Sequence, residues 1–533
     1  MLCLQQVMIK RVFMVEQKLK KLPLGLSDFG EIRREYYVYV DKTELIYQLI
    51  TSGKYYFISR PRRFGKSLLV SILDELFSGN KKIFENLWIF QSDYLWLQHP
   101  VIKIDFSDID YSRSDRLEKS LLKCLYSIGK QYKIKLAKTE SPKDLFSELI
   151  DTLSLKNKVI ILVDEYDKPI VDNIHKLEKA EEQRAILQNF YSTIKAKDAK
   201  LRFVLLTGVS KFSKTSVFSG LNNLVDISMD SRYATLFGYT QQELTDYFPI
   251  YLDRLAKVEN KTHDDVVQEI MNYYDGYQFA ANSICVLNPF SVLLCFDSNK
   301  LDNYWFQTGT PTFLIKLLQK NNYDLESIMH PTINALDLGS FELDNVPLPS
   351  LLLQTGYLTI KSYDSKTNNY TLGVPNKEVS NCFTRQLVNA FTLLPIDKSI
   401  EYARLITNAF GRGDVIKLQK KLQEFFNRMP YTVHVDSEHS LQFVLYAIFA
   451  LIGVAVDPEV TTSLGRADLV VSFPKLIYII ELKFNKTAQQ ALEQIRDKKY
   501  YEKYLNTGKQ ITLLGINFDQ QTKTVSLECD HVD

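Results

Sequence analysis

The sequence of 533 residues is poor in residues that bind zinc or form disulfide frameworks. It contains six cysteines and seven histidines, and none of the cysteines forms a CxxC pair. This spacing argues against a structural zinc site and against a disulfide-stapled scaffold, and it favours a reducing compartment. The cytoplasm is therefore the expected location.

The chain also lacks a long hydrophobic run and a strong charge of either sign. Its longest uncharged apolar run, FVLYAIFALIGVAV at 443–456, is shorter than the ~20 residues of a membrane-spanning helix, so it predicts a buried helix. The N-terminal segment is interrupted by Lys10 and Arg11, unlike a secretory signal. We expect no membrane partner, and the net charge of +2 requires no particular partner.

What is present is a chain too long for one core, with the composition of a soluble globular protein. Its length predicts three or four domains, and its contents of 45% hydrophobic and 24% charged residues are ordinary for such a protein. Four strand-like runs alternate with amphipathic stretches between about 55 and 240, namely YYFIS, VIKIDFS, KVIILVDE and RFVLLTG. This alternation indicates an α/β multidomain protein that contains a parallel sheet.

The second half of the sequence changes its pattern several times. Residues 241–345 have a mostly helical pattern, and 348–379 reads as a helix stopped by Gly356, a strand, a polar turn and another strand. A helix followed by such a two-stranded wing predicts a winged-helix unit. A helical connector to about 430 follows, and then a helix, a hairpin and another helix.

The segment SRPRRFGKS at 59–67 resembles a phosphate-binding loop whose first glycine is replaced by Arg60. In such a loop, backbone N–H groups and the helix dipole attract phosphates, Lys66 reaches the β- and γ-phosphates, and the Ser67 hydroxyl binds Mg²⁺. The alternative is a chance GKS sequence in a basic turn. The loop residues expected to bind the nucleotide are Arg60, Pro61, Arg62, Arg63, Phe64, Gly65, Lys66 and Ser67.

Two later strands end in residues that would complete a nucleotide site. KVIILVDEYD ends a buried strand in Asp164, a candidate Mg²⁺ ligand opposite Ser67, and Glu165, a candidate for polarising the attacking water. RFVLLTG ends at Thr207, where a γ-phosphate-sensing residue would lie. Acidic residues end many parallel strands, and a structural role for Thr207 as a loop cap is equally plausible.

The segment GRADLVVSFPKLIYIIELKF at 465–484 predicts a hairpin. With a turn centred between Pro474 and Lys475, residues whose numbers sum to 949 face each other, so Asp468 faces Glu481. Like charges in that position repel unless a cation lies between them, and Mg²⁺ prefers oxygen ligands. Lys483, on the same strand face as Glu481, would orient a water or stabilise a phosphate.

An alternative for this hairpin is a structural ion cluster, in which Lys483 and Arg466 neutralise the two carboxylates. Upstream, Glu438 starts the apolar helix and is either a first-turn helix charge or a residue that leans toward the metal. Downstream, the amphipathic segment ALEQIRDKKYYEKYL places Gln494, Lys498, Tyr500 and Tyr504 either along the cleft or on a solvated face.

These motifs resemble a bacterial family that joins an AAA-ATPase-like domain to a C-terminal PD-(D/E)xK nuclease-superfamily domain. The markers are LPLGLSDFGEIRREYYVYVDKTELI, SRPRRFGKS, ILVDEYDKPI, TGVSKFS, YDGYQF, NPFSVL, GYLTI, GRADLVV and IIELK. The resemblance implies that Arg60 belongs to the family's own version of the loop. It also implies that Asp468, Glu481 and Lys483 bind metal and cleave phosphodiesters with help from Glu438, and that 39–43 lies near the adenine.

The resemblance implies ATP and Mg²⁺ as cofactors, nucleic acid as a partner, with DNA favoured over RNA, and self-association as a homo-oligomer. Lys211 and Arg232 are candidates for a cation supplied to a neighbouring copy. The expected divisions are an N-terminal extension (1–20), a P-loop AAA-like ATPase domain (21–245), a helical lid (246–345), a winged-helix-like unit (346–380), a helical connector (381–430) and a restriction-endonuclease-like α/β/α nuclease domain (431–533). The alternative function is a STAND-like signalling ATPase whose C-terminal domain binds nucleic acid or partners without cleaving.

Overall fold

The computed structural model of the chain describes residues 19–173, 176–210, 223–305, 331–338, 347–392, 394–428, 437–451, 454–462 and 465–532. These residues form two compact units, one containing the described residues up to 304 and the other those from 305 onward. Residues 1–18 of the expected N-terminal extension and Lys211 lie outside the described residues.

The first unit is built on a five-stranded parallel sheet with the strand order β2-β3-β4-β1-β5. Its strands are β1 (Tyr55–Ser59), β2 (Val101–Asp105), β3 (Val159–Asp164), β4 (Leu201–Gly208) and β5 (Val225–Asp226). Every residue of β1 and β3 is buried, as expected of apolar strands covered on both faces. The predicted parallel sheet is therefore confirmed, and the carboxyl ends of its strands lie at one edge.

The helices that precede, connect and follow these strands have amphipathic sequences. They are α1 (Phe29–Arg34), α2 (Thr43–Ser52), α3 (Lys66–Phe77), α4 (Ser114–Gln131), α5 (Pro142–Leu153), α6 (Lys168–Val171), α7 (Leu177–Ala196), α8 (Gln241–Tyr247), α9 (Pro249–Glu259), α10 (His263–Tyr274) and α11 (Pro289–Ser298). Thr240 and Thr262 form capping boxes at the starts of α8 and α10, which satisfy the first backbone N–H groups of each helix. The helical pattern expected after 241 is thus observed, and its action as a lid stays a prediction.

The second unit begins with a three-stranded antiparallel sheet of order β6-β8-β7. Its elements are β6 (Thr332–Asn334), α12 (Ala335–Leu338), α13 (Leu348–Thr355), β7 (Thr359–Asp364) and β8 (Asn369–Gly373). Gly356 ends α13 in the left-handed conformation with φ 88°, which favours glycine. The helix, strand, turn and strand predicted for 348–379 are confirmed, and the winged-helix interpretation stays a prediction.

Three helices follow, α14 (Lys377–Thr392), α15 (Ile396–Gly411) and α16 (Val415–Arg428), and their action as a connector stays a prediction. After them, α17 (Glu438–Leu451) precedes three strands, β9 (Ala455–Thr462), β10 (Gly465–Ser472) and β11 (Leu476–Phe484). Then follow α18 (Ala488–Lys498) and a final pair, β12 (Gln510–Asp519) and β13 (Thr524–Val532). Strands β9, β12 and β13 were missing from the sequence prediction. Among the described residues, none of the helices is both long and apolar enough to cross a membrane.

The C-terminal sheet is mixed, with the order β13-β12-β11-β10-β9 and one parallel pair, β11 with β12. The pairs Leu469–Ile480 and Val470–Ile479 fix the register between β10 and β11, and both pairs sum to 949, so the predicted register is confirmed. Ile479 packs in a cluster with Leu492 of α18, whereas Tyr478 contacts Phe410 of α15. Helices therefore cover both faces of this sheet.

Candidate nucleotide site and candidate nuclease site

The loop from β1 to α3 has the backbone of a phosphate cradle. Gly65, directly before the first residue of α3, has φ 94°, and a Cβ built there would meet no atom within 4 Å. A left-handed residue at the start of a helix turns the backbone N–H groups toward a common point, where an anion is favoured by the helix dipole. Arg63 also has positive φ, at 71°, whereas Arg60 does not need the freedom of the glycine that it replaces.

The Arg60 side chain is a structural part of the loop. It is 2% exposed, and its Nη1 donates to the carbonyl oxygens of Ser59 at 2.8 Å and Ser228 at 2.6 Å. The guanidinium lies 4.2 Å from the ring centroid of Phe279. Burial lowers the pKa of Arg60 while Asp226 opposes that effect, and the group stays charged at neutral pH. Arg60 therefore fixes the loop through distant segments, and its contribution to binding would come from its backbone.

The other side chains of the loop differ in their surroundings. Phe64 is buried and packs edge-to-face on Tyr277 and Phe279, while the Arg63 guanidinium lies 4.7 Å from the Phe290 ring. Arg62 is exposed and lies 4.0 Å from a carboxylate oxygen of Asp172. The YDGYQF and NPFSVL segments of the sequence therefore supply aromatic rings that support the phosphate loop.

Lys66 lies inside the loop and points at its carbonyl groups. It is 6% exposed, and its Nζ donates to the carbonyl oxygens of Arg60 at 3.0 Å and Pro61 at 3.2 Å. Burial lowers the pKa of Lys66, and the charges of Asp164 and Glu165, then that of Asp167, oppose this effect. The lysine is thus electrostatically coupled to the acidic end of β3, as a phosphate-binding lysine near a Mg²⁺ ligand should be.

Asp164, Glu165 and Thr207 meet at the carboxyl ends of β3 and β4. The Thr207 hydroxyl donates to Asp164 Oδ1 at 2.5 Å, and the Glu165 N–H donates to the same oxygen at 3.1 Å. Both Asp164 and Thr207 are buried. In this arrangement Thr207 fixes the rotamer of Asp164, which agrees with a structural role, and contact with a γ-phosphate stays a prediction.

Two further polar residues of this region were not singled out by sequence analysis. Asp167 is buried and accepts hydrogen bonds from the Ser210 N–H at 2.7 Å and the Ser210 hydroxyl at 2.6 Å. Burial raises its pKa. Lys168 donates to Glu165 Oε2 at 2.9 Å. The feature of the sequence that could have identified them is their closeness to Asp164 and Glu165 in the segment DEYDK.

The segment 39–43, expected near the adenine, is tied to α8. Lys42 donates to Glu243 at 2.6 Å and to the Thr235 carbonyl at 2.8 Å, and burial lowers its pKa against the opposing charge of Glu243. Asp41 accepts from the N–H and hydroxyl of Thr43. These side chains hold the segment in place. Arg232, a candidate trans-acting cation, forms a forked pair with Asp230 on the surface.

Asp468, within β10, and Glu481, within β11, come together one position beyond the Leu469–Ile480 pair, where the ladder between the two strands ends. Asp468 Oδ2 accepts from the Leu482 N–H at 2.7 Å, so this carboxylate replaces a backbone acceptor where the regular pairing stops. The Gln442 amide donates to the Asp468 carbonyl at 2.8 Å and ties α17 to the same point. The two carboxylates that sequence analysis paired are therefore neighbours.

Glu481 is a buried acid with a raised pKa. It is 2% exposed, and burial followed by the negative charge of Asp468 raises its pKa to about 8, against the opposing charge of Lys483. Its Oε1 accepts from Lys483 Nζ at 3.1 Å, and its buried Oε2 has no hydrogen-bond partner among the described residues. An orphaned carboxylate oxygen beside a second carboxylate suits an oxygen-seeking cation.

Glu481 is the first member of a chain of ion pairs in which acidic and basic side chains alternate. Lys483 Nζ lies 3.1 Å from Glu481 and 3.7 Å from Glu438, and Lys486 Nζ lies 3.2 Å from Glu438. Burial disfavours the charged lysine, but Glu481 and then Glu438 raise the pKa of Lys483 above its usual value. Glu438 therefore does lean into the site, while Arg466 is exposed.

Tyr500 is buried and interacts electrostatically with the two carboxylates. Gln494 donates to its hydroxyl at 3.3 Å, and a Cβ on Gly465 would lie 3.1 Å from its ring. Burial raises the pKa of Tyr500, and the charges of Glu481 and Asp468 contribute in the same direction. The buried tyrosine is thus packed near the carboxylates, in keeping with a place along the cleft.

The side chains available as metal ligands determine which ion this site would hold. Among the described residues, no group of three or more histidine, cysteine or carboxylate side chains is arranged to hold a metal ion. The site offers the two carboxylates Asp468 and Glu481, and Mg²⁺ is often bound by one or two carboxylates together with waters and substrate phosphates. The residues present therefore fit a Mg²⁺ ion that shares its ligands with a phosphodiester.

Comparison with known proteins gives matches for both regions. A family model described as a predicted AAA-ATPase matches residues 23–218, and one described as the PD-(D/E)XK nuclease superfamily matches residues 436–528. An uncharacterized protein in the vnfD 5′ region of Azotobacter chroococcum mcd 1 is 37% identical over 518 residues, which cover 95% of this chain and 98% of that protein. The chain belongs to this AAA-ATPase-like family with a C-terminal PD-(D/E)XK nuclease-superfamily domain.

Family membership confirms the resemblance drawn from the motifs. The candidate nucleotide-site residues, from Arg60 to Thr207, lie inside the matched AAA-ATPase region. Glu438, Asp468, Glu481 and Lys483 lie inside the matched nuclease-superfamily region. The role of each residue in this AAA-ATPase-like protein remains a prediction.

Proposed function

We propose that this protein hydrolyses ATP with its first unit and cleaves nucleic acid, with DNA favoured over RNA, through a Mg²⁺-dependent site in its second unit. The observation that carries the nuclease assignment is the buried Glu481, whose Oε2 has no partner among the described residues and which lies beside Asp468 and Lys483. Burying a carboxylate oxygen without a hydrogen-bond partner costs free energy of folding. The arrangement makes chemical sense when a cation and a phosphate share the site.

In the nucleotide site, the loop around Gly65 would hold the phosphates through backbone N–H groups. Lys66 would exchange its carbonyl partners, Arg60 and Pro61, for phosphate oxygens, which offer the lysine full negative charges. Ser67 and Asp164 would hold Mg²⁺. Glu165 would accept a proton from the water that attacks the γ-phosphorus, while the bond from that phosphorus to the bridging oxygen breaks and ADP departs.

In the nuclease site, Asp468 and Glu481 would hold Mg²⁺, which supplies an activated water and neutralises charge on the phosphate. Lys483 is tethered between Glu481 and Glu438, within reach of a phosphate that approaches the carboxylates. It would stabilise the negative charge that builds up on the phosphorus oxygens. Glu438 would hold Lys483 and Lys486 in position, with the lysines facing the substrate backbone.

The decisive experiment is a cleavage panel with single- and double-stranded DNA and RNA, with Mg²⁺ or Mn²⁺ and with or without ATP. We expect metal-dependent cleavage that is lost in Asp468→Ala. A matched control is Asp457→Ala, because Asp457 lies on β9 opposite Val470 and outside the proposed ligand set. Comparison of wild type with Lys66→Ala under the same conditions tests whether cleavage depends on the nucleotide site.

A second function, a signalling ATPase that binds without cleaving, is favoured by one observation. Lys483 already pairs with Glu481 at 3.1 Å and lies 3.7 Å from Glu438, as in a purely structural ion cluster. Under that function, ATP turnover persists, no nucleic acid in the panel is cut with either metal, and Asp468→Ala changes only stability or binding. Both functions are compatible with self-association into a homo-oligomer, which light scattering with and without ATP would test.

A further inference from the structure

The amino-terminal edge of the parallel sheet lies opposite the edge that carries the candidate nucleotide site. Because β1 to β4 are paired in parallel, the segments that enter these strands lie side by side in one row. The Asn157 amide, before β3, donates to the Gln98 carbonyl, before β2, at 2.9 Å. Lys54 Nζ, before β1, donates to Asp198 Oδ1, before β4, at 2.7 Å. The entering segments therefore form one connected surface.

This surface is rich in lysine. The Tyr132 hydroxyl, just after α4, accepts a hydrogen bond from the Val101 N–H at 2.7 Å, which places the end of α4 and the residues after it at the start of β2. Seven lysines lie in these segments and form what we name the lysine edge, namely Lys54, Lys133, Lys135, Lys156, Lys158, Lys197 and Lys200.

Two aspartates offset part of this positive charge. Asp198 pairs with Lys54, and Asp151 pairs with both Lys197 and Lys200, each at 2.7 Å. The remaining four lysines of the edge are exposed and form no ion pair with any residue that the structure describes, namely Lys133, Lys135, Lys156 and Lys158. The lysine edge thus has a clear excess of positive charge.

Like charges gathered on one surface repel one another and favour an anionic partner. Neighbouring strands lie ~4.8 Å apart, so the entries of four strands spread these lysines along a line rather than around a point. Duplex DNA carries one negative charge per ~1.7 Å of its axis. A linear polyanion would therefore meet several lysines of the edge at once.

One alternative is that the lysines only stabilise helix ends. Helices α2, α5 and α7 end close to Lys54, Lys156 and Lys197, where a cation interacts favourably with the helix dipole. That effect falls off within the last turn of a helix. It therefore does not account for Lys135 and Lys158, which lie further along the chain from the ends of α4 and α5.

A second alternative is an anionic membrane, because Leu155 beside Lys156 is 85% exposed. Interfacial binding uses the broad apolar face of an amphipathic helix, whereas the lysine edge consists of short connecting segments. The row of cations on these segments favours a nucleic-acid backbone over a lipid surface.

We propose that the lysine edge of the first unit binds the phosphate backbone of nucleic acid, as a contact additional to the candidate nuclease site. The proposal rests on the proposed function for the class of polymer, since nucleic acid is the partner proposed there. Backbone contacts carry no sequence information directly, so this surface would hold nucleic acid of any sequence.

The test is equilibrium binding of a fluorescein-labelled DNA duplex by the full-length protein over a series of salt concentrations, with EDTA present so that no Mg²⁺ supports cleavage. One variant combines Lys156→Gln with Lys158→Gln, and an independent variant combines Lys133→Gln with Lys135→Gln. Each removes two exposed charges while keeping a polar side chain.

The matched control combines Lys119→Gln with Lys123→Gln, because both lysines are exposed and lie within α4 well before its end. Thermal unfolding of every variant checks the fold. Binding to vesicles of phosphatidylserine and phosphatidylcholine, measured with the same proteins, tests the membrane alternative.

We expect each edge variant to bind DNA about tenfold more weakly, and to reduce the slope of log affinity against log salt by about 1–2, because each lost phosphate contact lowers that slope by about 0.9. The control should match wild type. Wild-type affinity and slope in both edge variants overturn the proposal, as does a loss of vesicle binding with DNA binding unchanged. DNA binding that depends on the lysine edge in a protein that cleaves no nucleic acid supports this proposal and overturns the proposed nuclease function.

Discussion

Replacing Arg60 with glycine would restore the usual first glycine of a phosphate-binding loop, and we expect this change to harm the protein. Arg60→Gly removes two short hydrogen bonds from a buried guanidinium to the carbonyls of Ser59 and Ser228. It also removes the contact of that cation with the ring of Phe279 at 4.2 Å. The glycine in addition increases the conformational entropy of the unfolded chain.

The size of the effect follows from these contacts. Each hydrogen bond to a charged group contributes about 1.5–3 kcal/mol to stability. Because the glycine variant no longer buries a charged guanidinium, which is itself unfavourable, the net loss is smaller than the sum of the two hydrogen bonds. We therefore expect the first unit to lose about 3 kcal/mol of unfolding free energy. For a unit of this size, that loss lowers the midpoint of thermal unfolding by roughly 5–10 °C.

The assay is thermal unfolding of the full-length protein, followed at the transition that ATP stabilises, with ATP affinity measured at a temperature where both proteins are folded. Arg63→Ala is the control, because Arg63 is an exposed arginine of the same loop that contacts a single ring. A glycine variant that is as stable as wild type and binds ATP equally well or more tightly would refute the structural role of Arg60.

Three further predictions concern both sites. Lys66→Ala should abolish ATP binding measurable by calorimetry, whereas Lys119→Ala, at an exposed helix lysine paired with Asp115, should retain it. Glu481 has a pKa of about 8 in the folded protein, above its unfolded value, so the stability of Mg²⁺-free protein should fall as pH rises from about 4.5 to 8 and then level off. Glu481→Gln should flatten this dependence, and a stability that rises over the same range would contradict the assignment. Gly465→Ala forces a Cβ within 3.1 Å of the Tyr500 ring and should reduce cleavage and stability more than Gly508→Ala, where φ is also positive but the added Cβ meets open space.

Local patterns predicted the strands and the hairpin register well. The four apolar runs became β1 to β4 because each is rich in β-branched or aromatic residues and has polar boundaries. The hairpin register followed from the three residues Phe473, Pro474 and Lys475, since a short turn leaves the flanking strands little choice of pairing. The neighbouring position of Asp468 and Glu481 was therefore predictable from sequence.

Contacts between distant segments were not predictable in this way. The partners of Arg60 lie at Ser228 and Phe279, far along the chain, and no local pattern connects them. The pairing of Glu165 with Ser107 also crosses from β3 to β2. Strands β12 and β13 join the sheet only because β12 pairs in parallel with β11, across α18, and no local pattern encodes that contact.

The most direct test of the proposed nuclease site is single-turnover cleavage of a DNA substrate with Mg²⁺, in which wild type is compared with Asp468→Asn. The asparagine keeps the size of the side chain but removes the charge, so folding should be preserved while the ligand set is weakened. We predict that the cleavage rate falls about a thousandfold or more. Cleavage by Asp468→Asn at the wild-type rate, or metal-independent cleavage by the wild type, would contradict a Mg²⁺ site at Asp468 and Glu481.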